Sequence, residues 1–132
     1  MDSNDIGDAS EAIVLSELTQ IGYTVSIPFS DSSRYDLVVE VDGDLEKVQV
    51  KTGRMDNGCV TFQCRSKNRN KQDFYTPEEV DAYCVYSEEQ DSVYWILFDE
   101  AGKRGMRLRV DEDIKNSPQV NWARDFLLQN RL

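Results

Sequence analysis

Residues 35–52 read YDLVVEVDGDLEKVQVKT, and this stretch decides the fold. Apolar and polar residues alternate through both halves, which is the period of two that a half-buried β-strand requires. Asp42-Gly43-Asp44 stands between the halves, and Asp-Gly flanked by alternating apolar residues signals a tight hairpin turn. Residues two apart in a strand point to the same side. Leu37, Val39 and Val41 therefore share one face of the first strand, and Asp36 looks the other way. In the second strand Val48 and Val50 take the buried face, and Gln49 and Lys51 share the opposite one. Pairing the strands brings an acid, an amide oxygen and a lysine together at the strand ends.

Those groups are the minimum for holding a divalent cation beside a phosphate. Mg²⁺ takes hard oxygen ligands, usually one or two carboxylates with waters and phosphate oxygens. Asp36 offers the carboxylate and Gln49 a neutral carbonyl oxygen. Lys51 would put positive charge where negative charge accumulates on a phosphate under attack. By itself the alternation also describes an ordinary solvated hairpin face.

Upstream, Gly7-Asp8-Ala9-Ser10-Glu11 opens an expected helix that ends near Gly22-Tyr23. The order is helix with glutamate, GY turn, strand, YDLVV, then VQVK, with Asp36 and Gln49 separated by 49 − 36 = 13 residues. This order resembles the PD-(D/E)XK nuclease superfamily, whose motif is an acid on one strand, a variable gap, then acid-x-lysine on the next. More narrowly it is similar to the small group I intron homing endonuclease and archaeal resolvase-like branch, which has glutamine where most members have an acid. The resemblance runs over residues 5–100. Two positions depart from the superfamily pattern: Arg34-Tyr35 precedes Asp36 without a proline, and Gln49 replaces the second acid. The second change removes one negative charge from the site.

The resemblance implies a restriction-endonuclease-like α/β fold, a single domain over residues 1–132 with a central mixed β-sheet flanked by helices. Residues 1–6 are expected to be flexible. It implies a Mg²⁺-dependent endodeoxyribonuclease, with Mn²⁺ able to substitute, of homing-endonuclease-like or Holliday-junction-resolvase-like type. By the same resemblance Asp36, Gln49 and the Val50 backbone carbonyl bind the metal, and Lys51 is the catalytic lysine. Glu11 becomes the helix acid that completes the catalytic and metal-binding set. Taken alone, Glu11 also fits a helix-start glutamate, which the positive end of the helix dipole favours. Cutting two strands in register implies a homodimer or higher assembly acting on duplex or branched DNA.

A coarse pass along the chain predicts a helix from Ser10 to Ile21, with Ala12, Ile13, Leu15, Leu18 and Ile21 on its apolar side. Strands follow over 24–28, 35–41, 45–52, 59–64, 83–86 and 93–98, with a further edge strand over 106–110. Thr76-Pro77-Glu78-Glu79 reads as a capped helical turn. Val120, Ala123, Phe126, Leu127 and Leu128 have helical spacing near the C-terminus.

Charge argues against a polyanionic partner. The 132 residues carry 25 acids and 15 bases, a net charge of −10, whereas nucleic-acid binders normally have basic excess. The local field at the contact face matters more than the total. Arg65, Lys67, Arg69 and Lys71 alternate through RSKNRNK without an acid, and Arg54 can join the same surface. These five are the candidate DNA-binding residues; a solvated loop is the plain alternative for the run. Phe62, Phe74 and Tyr75 bracket the run, either to stack on exposed bases or as sheet-edge core. The acids are 15 Asp and 10 Glu against 6 Lys and 9 Arg. That aspartate-rich, lysine-poor balance is what a high-salt cytoplasm favours, so a halophilic source is expected.

The remaining features are mostly exclusions. The chain has no histidine, which removes Ser/His/Asp and Cys/His catalysis. Cys59, Cys64 and Cys84 lack metal-ligand spacing and fit small buried hydrophobes. The acidic start MDSNDIGDAS is unlike a signal peptide, and the apolar runs are too short for a membrane span, so a cytoplasmic protein is expected. Two other functions stay open on the residues alone. One is a nuclease-fold DNA-binding module whose metal site has decayed at Gln49; the other is an acidic protein-interaction domain.

Overall fold

The computed structural model describes residues 1–66, 73–111 and 120–132. Helix α1 (Ser3–Gln20) begins seven residues before the expected start, because the Asp2 carboxylate caps it by accepting the Asp5 N–H at 2.9 Å. Ser3–Ile6 is therefore its first turn. The helix ends as GY predicts. Tyr23 N–H donates to the Leu18 carbonyl at 3.0 Å and Gly22 N–H to that of Thr19 at 3.1 Å. Gly22 has φ 100°, the left-handed conformation that this six-to-one, five-to-two closure requires. The inward stripe is Ser10, Val14 and Leu18, each four residues apart. Ala12 and Ile21, expected on the apolar side, are exposed, and Val14 takes the central position.

Strands β1 (Val25–Ser26), β2 (Leu37–Val41) and β3 (Asp44–Thr52) run antiparallel. Asp42 and Gly43 form the β2–β3 turn with φ 51° and 87°, both positive as a two-residue type I′ hairpin demands. Leu37 pairs with Val48 and Val39 with Glu46, which is the register the hydrophobic alternation predicts. The chain continues through β4 (Arg54–Asp56), β5 (Cys59–Gln63), β6 (Arg65–Ser66), β7 (Asp73–Phe74), β8 (Ala82–Ser87), β9 (Ser92–Leu97) and β10 (Gly105–Arg109). A single helical turn at Pro77–Glu79 precedes β8, with Glu79 accepting the Thr76 N–H at 3.0 Å.

The central sheet has the order β1-β2-β3-β8-β9, with β3 and β8 parallel and the other neighbours antiparallel. This is the mixed sheet expected of the α/β class. The strands around 59–64 and 106–110 do not extend it. They form a second antiparallel sheet, β10-β5-β4. Helix α1 covers one face of the central sheet, through Val14 and Leu18 against Leu37, Val39, Val48, Val50, Ala82 and Cys84. The second sheet covers the other, with Val60, Phe62, Met106 and Leu108 against Tyr83, Val85, Tyr94 and Ile96. Both faces of β8 are thus buried, and its side chains read as a near-continuous apolar run.

The C-terminal residues close the β9 edge instead of forming the long helix their spacing predicts. A short 3₁₀ turn (Ala123–Phe126) leads to helix α2 (Leu128–Arg131), and Leu127 between them bridges Tyr94. The sharp change of direction at Leu127 lets Phe126 pack in one core layer and Leu128 in the other. Arg131 then forks onto Glu100 with two 2.7 Å bonds and donates to the Trp95 carbonyl at 3.0 Å.

Candidate active site

Asp36 is the last residue before β2, and the hairpin fixes it from two sides. Its N–H donates to the Val48 carbonyl at 2.8 Å, and its carboxylate accepts the Val50 N–H at 2.9 Å. The β2–β3 register ends at the Leu37–Val48 pair, so Asp36, the next residue out, is held at the hairpin's end between Val48 and Val50. Gln49 and Lys51 pair with Tyr83 and Val85 of β8 on the same side of the sheet. The Lys51 ammonium donates to the Arg65 carbonyl at 2.9 Å and to the Tyr75 hydroxyl at 3.3 Å. The Gln49 amide nitrogen lies 3.4 Å from the Val50 carbonyl oxygen, so an amide group and a main-chain carbonyl lie side by side near Asp36.

Glu11 approaches from α1, where it is half-buried as the ninth residue. That position removes the helix-start explanation, because the dipole effect fades beyond the first turn. Burial raises its carboxyl above the ordinary value, and the charges of Asp36 and Asp8 push it further. Burial also raises Asp36, while the Val50 N–H and the Lys51 charge pull it back. The Asp36 charge therefore reaches Glu11. Ser10, beside Glu11, shares a 2.7 Å hydroxyl–hydroxyl bond with Thr52, beside Lys51. This pins the helix to the end of β3.

Among the described residues no three His, Cys, Asp or Glu side chains gather as a metal site. The donor set here is different: two carboxylates, one amide and one main-chain carbonyl, all able to present hard oxygen. Partly desolvated acids gain from a nearby cation. The residues fit Mg²⁺ or a similar divalent ion.

The candidate DNA-binding residues divide. Arg54 is exposed at the start of β4. Arg65 is half-buried in β6, its side chain donating to Gln63 at 3.1 Å. Lys67, Arg69 and Lys71 lie outside the described residues. Phe62 and Tyr75 are 5% and 9% exposed, too little for base stacking, so both belong to the core. Phe74 is half-buried under the Lys103 ammonium, 4.9 Å from its ring centroid. All three cysteines are buried and unpaired, and burial pushes the Cys64 and Cys84 thiols up, away from reactivity.

Arg34 is the residue that sequence reasoning missed. Its guanidinium contacts Asp73 at 2.8 and 3.2 Å, Glu79 at 2.8 Å and the Phe74 carbonyl at 3.1 Å. It also lies 4.7 Å from the Tyr75 ring centroid. These partners stand 39 to 45 residues away in sequence, and no local pattern announces them. Two acids around the TP turn and an arginine two residues before the motif acid were the available signal.

A family model described as PD-(D/E)XK endonuclease matches residues 1–129. The chain belongs to the PD-(D/E)XK endonuclease family. A solved structure of a bacterial homing endonuclease, I-Ssp6803I, superposes with a TM-score of 0.77 over 96% of this chain and 89% of that one, at 23% identity. That likeness establishes the restriction-endonuclease-like fold of this family member. Protein 5.3 of Escherichia phage T7 is 52% identical over 46 residues, which is 35% of this chain and 39% of the phage protein. Among the described residues no helix is long and apolar enough to cross a membrane.

Proposed function

We propose that this chain is a metal-dependent DNA endonuclease, homing-endonuclease-like or junction-resolvase-like, that hydrolyses phosphodiester bonds. One observation carries the reading: Gln49 and Lys51 share one side of β3, the Val50 N–H between them holds the Asp36 carboxylate, and the Asp36 charge reaches Glu11. Asp36, Gln49 and the Val50 carbonyl would hold Mg²⁺, or Mn²⁺ in its place, with Glu11 as the further acid. Bound there, the ion would polarise a phosphoryl oxygen and acidify water. Lys51 orients the attacking water and offsets charge building on phosphorus. Asp36 is held for its part by the Val50 N–H, so its carboxylate needs little reorganisation. Arg54, Arg65, Lys67, Arg69 and Lys71 supply the phosphate-facing charge. Two copies acting together would cut both strands.

The test is cleavage of supercoiled plasmid and of a four-way junction with Mg²⁺ or Mn²⁺, across KCl concentrations. Wild type should cut, and Lys51→Ala and Asp36→Ala should each lose about a hundredfold or more, the scale of removing one preorganised charge-stabilising group. The junction-to-plasmid ratio assigns the subtype. Gln49 supports a second reading, a binding module without catalysis. Folded wild type that retains DNA but cuts neither substrate would favour it.

A further inference from the structure

A lysine has four rotatable bonds, and holding its tip in one place costs side-chain entropy. A reaction that needs the ammonium at a fixed point needs something to hold it. Two groups that hold Lys51 lie at the β6–β7 pairing. Arg65 of β6 gives its carbonyl at 2.9 Å, and Tyr75, just past β7, gives its hydroxyl at 3.3 Å, with its ring centroid 4.9 Å from the ammonium nitrogen. Burial and its neighbours push the Tyr75 phenol up to about 12, so it remains a neutral hydroxyl that can accept.

Among the described residues, the pairing that presents these groups joins Arg65 to Phe74 and Ser66 to Asp73. An isolated two-stranded ribbon is marginally stable at best in water. Arg34 supplies the missing restraint. It binds Asp73 through two nitrogens, takes the Phe74 carbonyl and Glu79 as well, and stacks near the Tyr75 ring. A planar fork shared among two carboxylates and a carbonyl is geometrically specific in a way that an ordinary exposed ion pair is not. Tyr75 is also wedged against Tyr83, with ring centroids 6.0 Å apart in an edge-on arrangement. Arg34 stands two residues before Asp36, so one side chain ties the approach to the motif acid and the platform under the motif lysine.

We propose that Tyr75 is a positioning residue for Lys51, its hydroxyl and the Arg65 carbonyl fixing the ammonium beside Asp36, and that Arg34 locks this platform in place. The inference rests on the reading of Lys51 as the catalytic lysine. Nothing in the acid-x-lysine pattern specifies either residue.

Two variants of the full chain test it, with far-UV circular dichroism to verify folding. Tyr75→Phe keeps the ring and removes only the hydroxyl. Arg34→Lys keeps the charge and removes the fork. The first readout is brief acetic-anhydride labelling with peptide mass mapping, using the Met1 amine as the internal standard. Lys51 labelling should rise several-fold in both variants. The second readout is single-turnover plasmid cleavage beside DNA affinity. Tyr75→Phe should lose about tenfold in rate, the scale of one hydrogen bond to a charged group, with Kd unchanged. Unchanged Lys51 labelling, an unchanged rate, or a rate loss matched by an equal loss of affinity would overturn the proposal. If wild type cuts neither substrate, the endonuclease reading fails on its own. Labelling then still decides whether Tyr75 and Arg34 hold the lysine.

Discussion

Gln49 sets the charge of the candidate site. With glutamine there, the oxygens around the proposed metal carry two formal charges, from Asp36 and Glu11, and both acids are already raised by burial. Gln49→Glu would place a third carboxylate beside Val50, whose N–H holds Asp36. Without metal the added repulsion should lower the thermal midpoint, because like charges in a partly desolvated site penalise one another. With Mg²⁺ the extra charge should be favourable. We expect the metal concentration for half-maximal cleavage to fall on the order of tenfold, equivalent to about 1.4 kcal/mol. Calorimetric titration of the uncleaved protein with Mg²⁺ should move in the same direction. An unchanged metal midpoint in both measurements would place Gln49 outside the metal's reach and remove it from the site.

Between elements, the critical joint is Gly53, where the chain leaves the central sheet at β3 and enters the second sheet at β4. A Cβ there would lie 2.5 Å from Val60 Cγ1 and 3.1 Å from Val85 Cγ1, one in each sheet. Gly53→Ala should therefore cost about 1–3 kcal/mol by overpacking, measured by chemical denaturation. Adding Val60→Ala should recover part of that loss, and a double-mutant cycle showing simple additivity would refute the contact. This joint also explains what the sequence revealed and what it hid. The β2–β3 hairpin was legible because its alternation and Asp-Gly turn are local, and with it came the shared side of Gln49 and Lys51. The end of α1 was legible from Gly22 for the same reason. Its start was not, since the Asp2 cap lies in a polar stretch with no apolar period. The membership of β5 and β10 in a separate sheet depends on the turn away at Gly53 and on pairings 42 to 50 residues apart, such as Arg107 with Thr61. A strand's own residues carry no label for its sheet. The Arg34 platform is hidden in the same way, because every partner comes from a distant segment.

At the scale of the whole molecule, a family fold associated with a polyanionic substrate carries a net charge of −10. Exposed acids such as Glu40, Asp42, Asp44, Glu78, Glu88 and Asp91 lie on turns and strand surfaces, and among the described residues exposed acids outnumber exposed bases. Self-repulsion of this kind destabilises the compact state. Screening shortens the reach of each charge from about 10 Å at 0.1 M salt to about 3 Å at 1 M. The thermal midpoint should therefore climb with KCl. Screening of distant charges is largely complete near physiological salt, so its contribution should level off there. A surface adapted to a high-salt cytoplasm should keep gaining stability into the molar range. A midpoint that plateaus early would assign the acidity to simple repulsion and reject the halophilic expectation. A flat or falling midpoint would reject self-repulsion as well. The same series read for DNA retention separates the two roles of charge: basic phosphate contacts weaken as salt rises, while the fold that carries them strengthens. Retention should consequently peak at intermediate salt, and a monotonic fall from the lowest salt would show that the acidic surface does not limit the fold under those conditions.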